Sequence, residues 1–339
     1  MLSRRAVLSG LGASFLGPLC GATEASGAAA IIDTHAHFPR GARGGMREFQ
    51  PSALLAAMET FGVEQVVLSP PPFPPGVDAP RLGEVRAAAR QSARFAFAAG
   101  GESLNPLLQD TPAGRVSADL LRRFSALAEE IAAAGAASFG ELAAEHFSSG
   151  RGRHPYESSP PDHPLLLALA DVAARHAMPI DLHMEAVPQD MPFPPDRPRG
   201  PNPPQLRANI SRLERLLEHN REARIVWLHA GWDLTGERTI PLMRGLLERH
   251  PNLTMSIKCD RSGARATAPF LPDPPAVRPG WLALLGAFPD RFMIGSDQFA
   301  GEETQRLECV RALIDALPPE LARRIASENA RRIYRLTAA

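Results

Sequence analysis

Two histidines separated by one residue follow a short apolar segment near the start of the chain. Residues 28–32 are apolar and precede Asp33-Thr34-His35-Ala36-His37, which places the pair at the end of a first predicted strand. Because side chains alternate across a strand, His35 and His37 point the same way. Neutral imidazole is the commonest metal ligand in proteins, so this pair can form half of a metal site. Taken alone, it is equally compatible with two surface histidines.

Polar residues of the same chemical kind recur where later predicted strands end. These residues are Glu141, His183, His229, Lys258 and Asp297. Each has an ordinary structural alternative: His229 as a core histidine, Asp297 as a helix cap, and Glu141 as the partner of an arginine. Imidazoles and carboxylates in this ratio suit zinc, manganese or iron(II). The recurrence therefore indicates one metal site, provided that the fold brings the strand ends together.

The elements that must position these residues alternate regularly between strand and helix. After the first strand, β-rich segments are predicted at residues 63–68, 94–99, 136–142, 178–183, 223–229, 252–258 and 291–297. Eight strands that alternate with helices predict an α/β fold, a (β/α)8 TIM barrel, in which the carboxyl ends of the strands meet on one face. A doubly wound open sheet is the alternative, but no Gly-x-Gly-x-x-Gly follows the first strand.

Composition restricts the possible partners. The chain has 339 residues, 44% of them hydrophobic, and its formal net charge is zero. A neutral chain does not favour nucleic acid or an anionic membrane surface as a partner. Of the three cysteines, Cys20 lies in the leader. Cys259 and Cys309 make no disulfide framework but leave room for a single bridge.

The first 30 residues have the features of an export signal. Ser3-Arg4-Arg5 precedes an apolar run and then small residues. This order is typical of a signal peptide, and the paired arginines resemble the twin-arginine type. An ordinary secretory signal is the alternative. The apolar run is too short for a typical membrane span. We therefore expect residues 1–30 to be a signal peptide, residues 31–339 to form the barrel, and the mature chain to be periplasmic or extracellular without a transmembrane segment.

Four motifs in order resemble the amidohydrolase superfamily, in the branch that includes aminocarboxymuconate-semialdehyde decarboxylase. They are Asp33-Thr34-His35-Ala36-His37, Ile180-Asp181-Leu182-His183, Val226-Trp227-Leu228-His229-Ala230-Gly231 and Ile294-Gly295-Ser296-Asp297. The resemblance implies a metal-dependent barrel in which His35, His37, His183 and Asp297 hold one metal, most simply Zn²⁺, with Mn²⁺ or Fe²⁺ as alternatives. It also implies that His229 and Asp297 are catalytic, with His229 as a base or carbonyl polariser.

Two residues extend or depart from that pattern. Glu141 ends the fourth strand, where two-metal members of the superfamily carry a bridging ligand, so a second ion is the alternative to one. Lys258, the only lysine, is predicted to face the barrel mouth and to bind an anionic substrate group. Its alternative is a salt bridge to Asp260 or Asp297. Trp232 is expected to shape the same pocket.

These expectations combine into one functional hypothesis with two alternatives. The first reading is an exported hydrolase that cleaves an amide, ester or lactone bond in a small-molecule substrate with a metal-activated water. The second is a non-oxidative decarboxylase of the same fold. The third is a metal-binding barrel without turnover.

Overall fold

In the part of the chain that the structure describes, eight parallel strands pair in chain order, and the first also pairs with the eighth. The strands are β1 Ile31–His37, β2 Val63–Ser69, β3 Phe95–Gly100, β4 Ser138–His146, β5 Pro179–Met184, β6 Arg224–Ala230, β7 Leu253–Ile257 and β8 Phe292–Ile294. The structure is a computed structural model that describes residues 29–39, 49–148, 154–197, 199–259, 267–302 and 304–337. The predicted TIM barrel is confirmed, and the strand ends lie within three residues of their predicted positions except at the end of β4, which continues four residues further, to His146.

Helices cover the outside of the barrel. They are α1 Pro51–Phe61, α2 Leu82–Ala89, α3 Leu104–Asp110, α4 Ala118–Ala133, α5 Pro164–His176, α6 Ile210–His219, α7 Ile240–Arg249, α8 Pro279–Ala287, α9 Gln305–Asp315, α10 Pro319–Arg323 and α11 Asn329–Tyr334. Local sequence explains several ends. The Ser117 hydroxyl accepts from the Leu120 amide to cap α4, and Gly62 ends α1 in a left-handed conformation. Phe124, Ala128 and Ile131 then form the buried face of α4.

Short additional strands lie in the loops. Glu157–Ser158 pairs with β4, and Gln298–Phe299 pairs with β1. Two small hairpins join Met191–Pro192 to Gln205–Leu206 and Phe270–Pro272 to Pro275–Val277. Among the described helices, none combines the length and apolar character needed to cross a membrane. Residues 1–28 of the expected signal peptide lie outside the described residues, so that expectation remains a prediction.

The core has an outer and an inner layer. The large outer layer lies between the strands and the helices, and includes Phe139, Trp227 and Phe292. The inner residues alternate with these along the strands, as the two-residue period of a strand requires. They are Val67, Ala98, Val226, Leu228 and Met293, which pack with Ile333 and Tyr334 of α11. Apolar side chains therefore fill much of the barrel below its mouth, and the predicted site residues lie toward the carboxyl ends of the strands.

Side chains reinforce the seam where the barrel closes. β1 and β8 pair through Asp33 and Ile294. The Thr34 hydroxyl donates to the Ile294 carbonyl at 2.8 Å. The buried Asp33 carboxylate accepts from the Ser296 amide at 2.8 Å and from its hydroxyl at 2.6 Å. Because β8 is short, these bonds fix the relative heights of the first and last strands.

Replacing Thr34 with Val tests this role of the seam. The change keeps the side-chain volume but removes the bond to the Ile294 carbonyl, so we expect the free energy of unfolding to fall by about 1 kcal/mol. The control is Thr60→Val, which removes an exposed bond to the Ala56 carbonyl within α1 and is expected to change stability by less than about 0.5 kcal/mol. Urea unfolding measures both variants. Equal effects would show that the seam bond is dispensable.

Candidate metal centre

One buried carboxylate lies among four imidazoles at the mouth of the barrel. Glu141, on β4, is 2% exposed. Its Oε1 is 2.6 Å from Nδ1 of His183 and 3.1 Å from Nε2 of His229. Its Oε2 is 3.2 Å from Nε2 of His37 and 3.6 Å from Nε2 of His35. Five of the predicted residues therefore form one cluster, contributed by β1, β4, β5 and β6.

A second carboxylate joins the histidines to two cations. Oδ1 of Asp297 is 2.9 Å from Nε2 of His37 and 3.8 Å from Nε2 of His35. Its Oδ2 accepts from the Lys258 ammonium and, at 3.0 Å, from Arg306. Lys258 thus forms the ion pair with Asp297 that the sequence allowed as an alternative to substrate binding. Oδ1 of Asp297 therefore faces the imidazoles, while Oδ2 forms ion pairs with Lys258 and Arg306.

These contacts shift the pKa values of the ionisable groups. Burial raises the pKa of Glu141, but hydrogen bonds from the imidazoles outweigh it and hold this pKa well below its usual range. The positive charges of Lys258 and Arg306 likewise outweigh burial and hold the pKa of Asp297 well below normal. For His37, burial lowers the pKa, but the two carboxylates raise it to about 9. The same balance, with Glu141 and Glu185 as partners, raises the pKa of His183 to about 9.

His35 provides the test of whether these residues fit a metal. Both of its ring nitrogens are buried without a hydrogen-bond partner, although buried polar atoms are nearly always paired. Its ligand atom lies within 4.8 Å of those of His37 and Asp297, and equally of those of Glu141 and His229. Imidazole and carboxylate donors at such spacing suit a divalent transition metal. The residues present therefore fit the ion that the sequence predicts.

His183 is placed differently from the other predicted ligands. It belongs to neither of these groups among the described residues. Its Nδ1 faces Glu141, and its Nε2 is 3.8 Å from Oε1 of Glu185. A carboxylate behind a ligating histidine commonly fixes the orientation of the ring. Its role as a ligand remains a prediction. Glu185 was not predicted from the sequence. It lies two residues after His183, so strand alternation would have placed both side chains on the same face.

Local backbone geometry directs His229 toward the cluster. Simple alternation after Val226 and Leu228 would turn its side chain to the outside of the barrel. A register irregularity between β6 and β7 and a left-handed conformation at His229, with φ of 64°, reverse that direction. Arg238 is buried and donates to the carbonyls of Trp227 and Leu228, immediately before the histidine. These bonds hold a conformation that costs about 1–3 kcal/mol for a residue other than glycine.

A cavity of about 350 Å³ opens over the cluster. The residues that line it include Lys258, Trp232, Phe299, Arg306, Arg197 and His146. The Lys258 ammonium lies 4.1 Å from the centre of the Trp232 ring, which places both predicted substrate-binding residues on one wall. Arg306 and Arg197 were missed because neither follows a strand. A larger groove of about 870 Å³ lies at the opposite end of the barrel and contains none of the predicted site residues.

Comparison with known families places this geometry in context. A family model described as "Amidohydrolase" matches residues 32–336. That range contains all of the clustered histidines and carboxylates. No curated protein matches the chain significantly.

Solved structures share the fold at low sequence identity. A probable 2-pyrone-4,6-dicarboxylic acid hydrolase from Acinetobacter baumannii is 14% identical with a TM-score of 0.51, covering 90% of this chain and 99% of its own. An amidohydrolase II is 13% identical with a TM-score of 0.52, covering 91% of this chain and 100% of its own. The IDCase of Metarhizium anisopliae is 16% identical with a TM-score of 0.50, covering 90% and 97%. At these identities the likeness shows the barrel fold alone.

Proton release on metal binding tests which histidines are ligands. With pKa values of about 9, His37 and His183 both carry a proton at pH 7 in the metal-free chain. A ligating imidazole must lose its proton, so affinity for Zn²⁺ should rise with pH and level off above about pH 9. Calorimetry in buffers of different ionisation enthalpy counts the protons released at pH 7.

The matched variant for this count is His183→Gln. If His183 is a ligand, the variant releases about one proton fewer than the wild type. An unchanged count would show that His183 keeps its proton and stays outside the coordination sphere. Zero protons released by the wild type would contradict the assignment of His37 as well.

Proposed function

The chain belongs to the amidohydrolase family, and we propose that it is a metal-dependent hydrolase of an amide, ester or lactone bond. The observation that carries this proposal is the unpartnered, buried His35 between two ionised carboxylates. Such an arrangement is costly unless a cation completes it. The complete set of histidine and carboxylate donors also supports this proposal. A barrel without turnover would be expected to lose some of these residues.

We assign His35, His37 and Asp297 as the residues that hold one divalent ion, with His183 and Glu141 next to them. Zn²⁺ is the first choice, and the same donors accept Mn²⁺ or Fe²⁺. A bound divalent metal supplies Lewis acidity and lowers the pKa of water toward neutrality. Since Glu141 approaches four imidazoles, it is also the residue through which a second ion would bind.

His229 is the proposed proton carrier. Burial holds its pKa well below normal, so the ring is neutral at physiological pH. Its Nε2 faces Glu141 at 3.1 Å, and its Nδ1 is buried without a partner. When Nε2–H donates to Glu141, Nδ1 is the atom that can accept a proton and return it to a leaving group.

Asp297 is assigned a supporting part in the same step. Lys258 and Arg306 keep its carboxylate negative and aim Oδ1 at His35 and His37. Its lowered pKa keeps it a charged ligand at neutral pH. We therefore assign Asp297 chiefly to binding the ion and His229 to moving the proton.

We propose that the substrate is small and carries an anionic group. The cavity volume of about 350 Å³ is at the small end of the range for ligand pockets. Arg197, Lys258 and Arg306 line it, and Trp232 and Phe299 supply flat apolar surface. We further propose that the protein is exported. The leader sequence supports this, and so does a disulfide between Cys259 and Cys309, because structural disulfides persist in oxidising compartments.

Assay of the metal-loaded protein tests the reaction class. We expect hydrolysis of at least one member of a panel of carboxylate-bearing amides, esters and lactones, with loss of activity in a chelator and recovery on adding Zn²⁺, Mn²⁺ or Fe²⁺. Acid production and CO₂ release are recorded on the same samples. Release of CO₂ without hydrolysis would replace this proposal with the decarboxylase reading. Turnover that survives complete metal removal would refute metal dependence.

Replacing His229 with Ala separates catalysis from metal binding. If His229 moves a proton, turnover should fall by about 10²–10⁴-fold while the metal content per chain stays the same. His219→Ala, which removes a surface histidine paired with Asp171, is the control and should retain full activity. Loss of the metal from the His229 variant would instead make His229 a ligand.

A further inference from the structure

A disulfide lies directly beside the candidate metal centre. It joins Cys259 to Cys309, with the Cα atoms 5.7 Å apart, and both residues are 1% exposed. Cys259 follows Lys258, just beyond the end of β7. Cys309 lies on α9, one turn after Arg306. The bond therefore ties the end of a barrel strand to the first turns of a helix that follows the barrel.

The two residues that flank this bond contact the same carboxylate. Lys258 and Arg306 both donate to Oδ2 of Asp297, and Arg306 also donates to the Asp297 carbonyl. Both cations lie over the Trp232 ring, at 4.1 and 6.0 Å from its centre. The end of β7 and the start of α9 are thus linked twice. One link is the pair of contacts that Lys258 and Arg306 make with Asp297, and the other is the disulfide.

Other contacts hold the two elements less directly. The Lys258 amide donates to the Ala230 carbonyl at 2.9 Å, which fixes the strand end. The first turn of α9 has no side-chain cap at Thr304, and its apolar anchors begin with Leu307. Arg306 therefore lies between an uncapped helix start and the buried residues Leu307 and Cys309, and of these two Cys309 is the one bonded covalently to the residue that follows Lys258.

We propose that the Cys259–Cys309 disulfide is a positioning element of the metal centre, which sets the spacing of Lys258 and Arg306 and thereby the aim of Asp297. The oxidised chain is then the form with the higher metal affinity. Reduction by a dithiol such as dithiothreitol adds two electrons and two protons, breaks the S–S bond and leaves two thiols. Arg306 then loses its fixed distance from Asp297. This inference rests on the metal-dependent site proposed above.

Cobalt binding tests the proposal without any substrate. The dissociation constant for Co²⁺ is measured from its visible absorption in the oxidised wild type, in C259S/C309S, in R306M and in the combined triple variant. Changes behind a metal ligand typically weaken binding 10–100-fold. We expect a loss of this size in C259S/C309S and in R306M, and little further loss in the triple variant, because both changes act through the same contact.

Val310→Ala is the control for stability alone. Val310 is buried on α9 next to Cys309, so its truncation should lower the melting temperature but leave the Co²⁺ dissociation constant unchanged. The disulfide is only a structural cross-link if C259S/C309S binds Co²⁺ as tightly as the wild type. The same conclusion follows if the triple variant loses as much Co²⁺ affinity as C259S/C309S and R306M lose together. If C259S/C309S does not fold, the wild type reduced with dithiothreitol replaces it, with its thiols counted and the reductant removed before Co²⁺ is added.

Hydrogen exchange gives a readout that needs no metal. We expect the amides of residues 297–308 to exchange faster in the reduced protein than in the oxidised one, while those of α4 stay unchanged. Should the wild type bind no Co²⁺, the proposed function fails, and this measurement still decides the positioning role. Unchanged exchange in residues 297–308 overturns it.

Discussion

The buried charge of Glu141 is the constraint around which the site is built. An ionised carboxylate at 2% exposure is tolerated only when it is paired and hydrogen-bonded. Here the compensation comes from imidazoles on β1, β5 and β6. A protonated imidazole loses its proton to solvent near neutral pH more readily than lysine or arginine does, and the freed nitrogen can then bind a metal. The same groups therefore stabilise the metal-free fold and provide donors for a divalent ion.

Charge is arranged in layers away from this centre. On one side, Asp297 separates the histidines from Lys258 and Arg306. On the other, His183 separates Glu141 from Glu185. Alternation of sign keeps each buried group next to an opposite charge, which limits the cost of desolvation. It also means that loss of one member leaves its neighbour unpaired, so substitutions in this cluster are not expected to act independently.

The sequence predicted the fold and the members of the cluster because both follow from strand periodicity. Parallel strands bring their carboxyl ends together, so polar residues at those ends must meet. Residues outside that rule were not predicted. Arg306 reaches the site from a helix, and Arg238 acts through backbone carbonyls. Alternation alone would turn His229 away from the site. Its inward direction depends on an irregularity in pairing with β7, which arises from tertiary contacts.

The position of the site in the barrel explains why side chains and a disulfide support it. His35 lies on the first strand and Asp297 lies three residues after the last one, and the Asp297 amide donates to the His35 carbonyl at 2.8 Å. β8 has three residues, so its backbone ladder supplies little restraint there. Asp33 and Thr34 stabilise the seam through side-chain hydrogen bonds, and the Cys259–Cys309 bond ties the end of β7 to α9, the helix that follows β8. A covalent restraint is useful where the ladder is short, and an oxidising compartment preserves it.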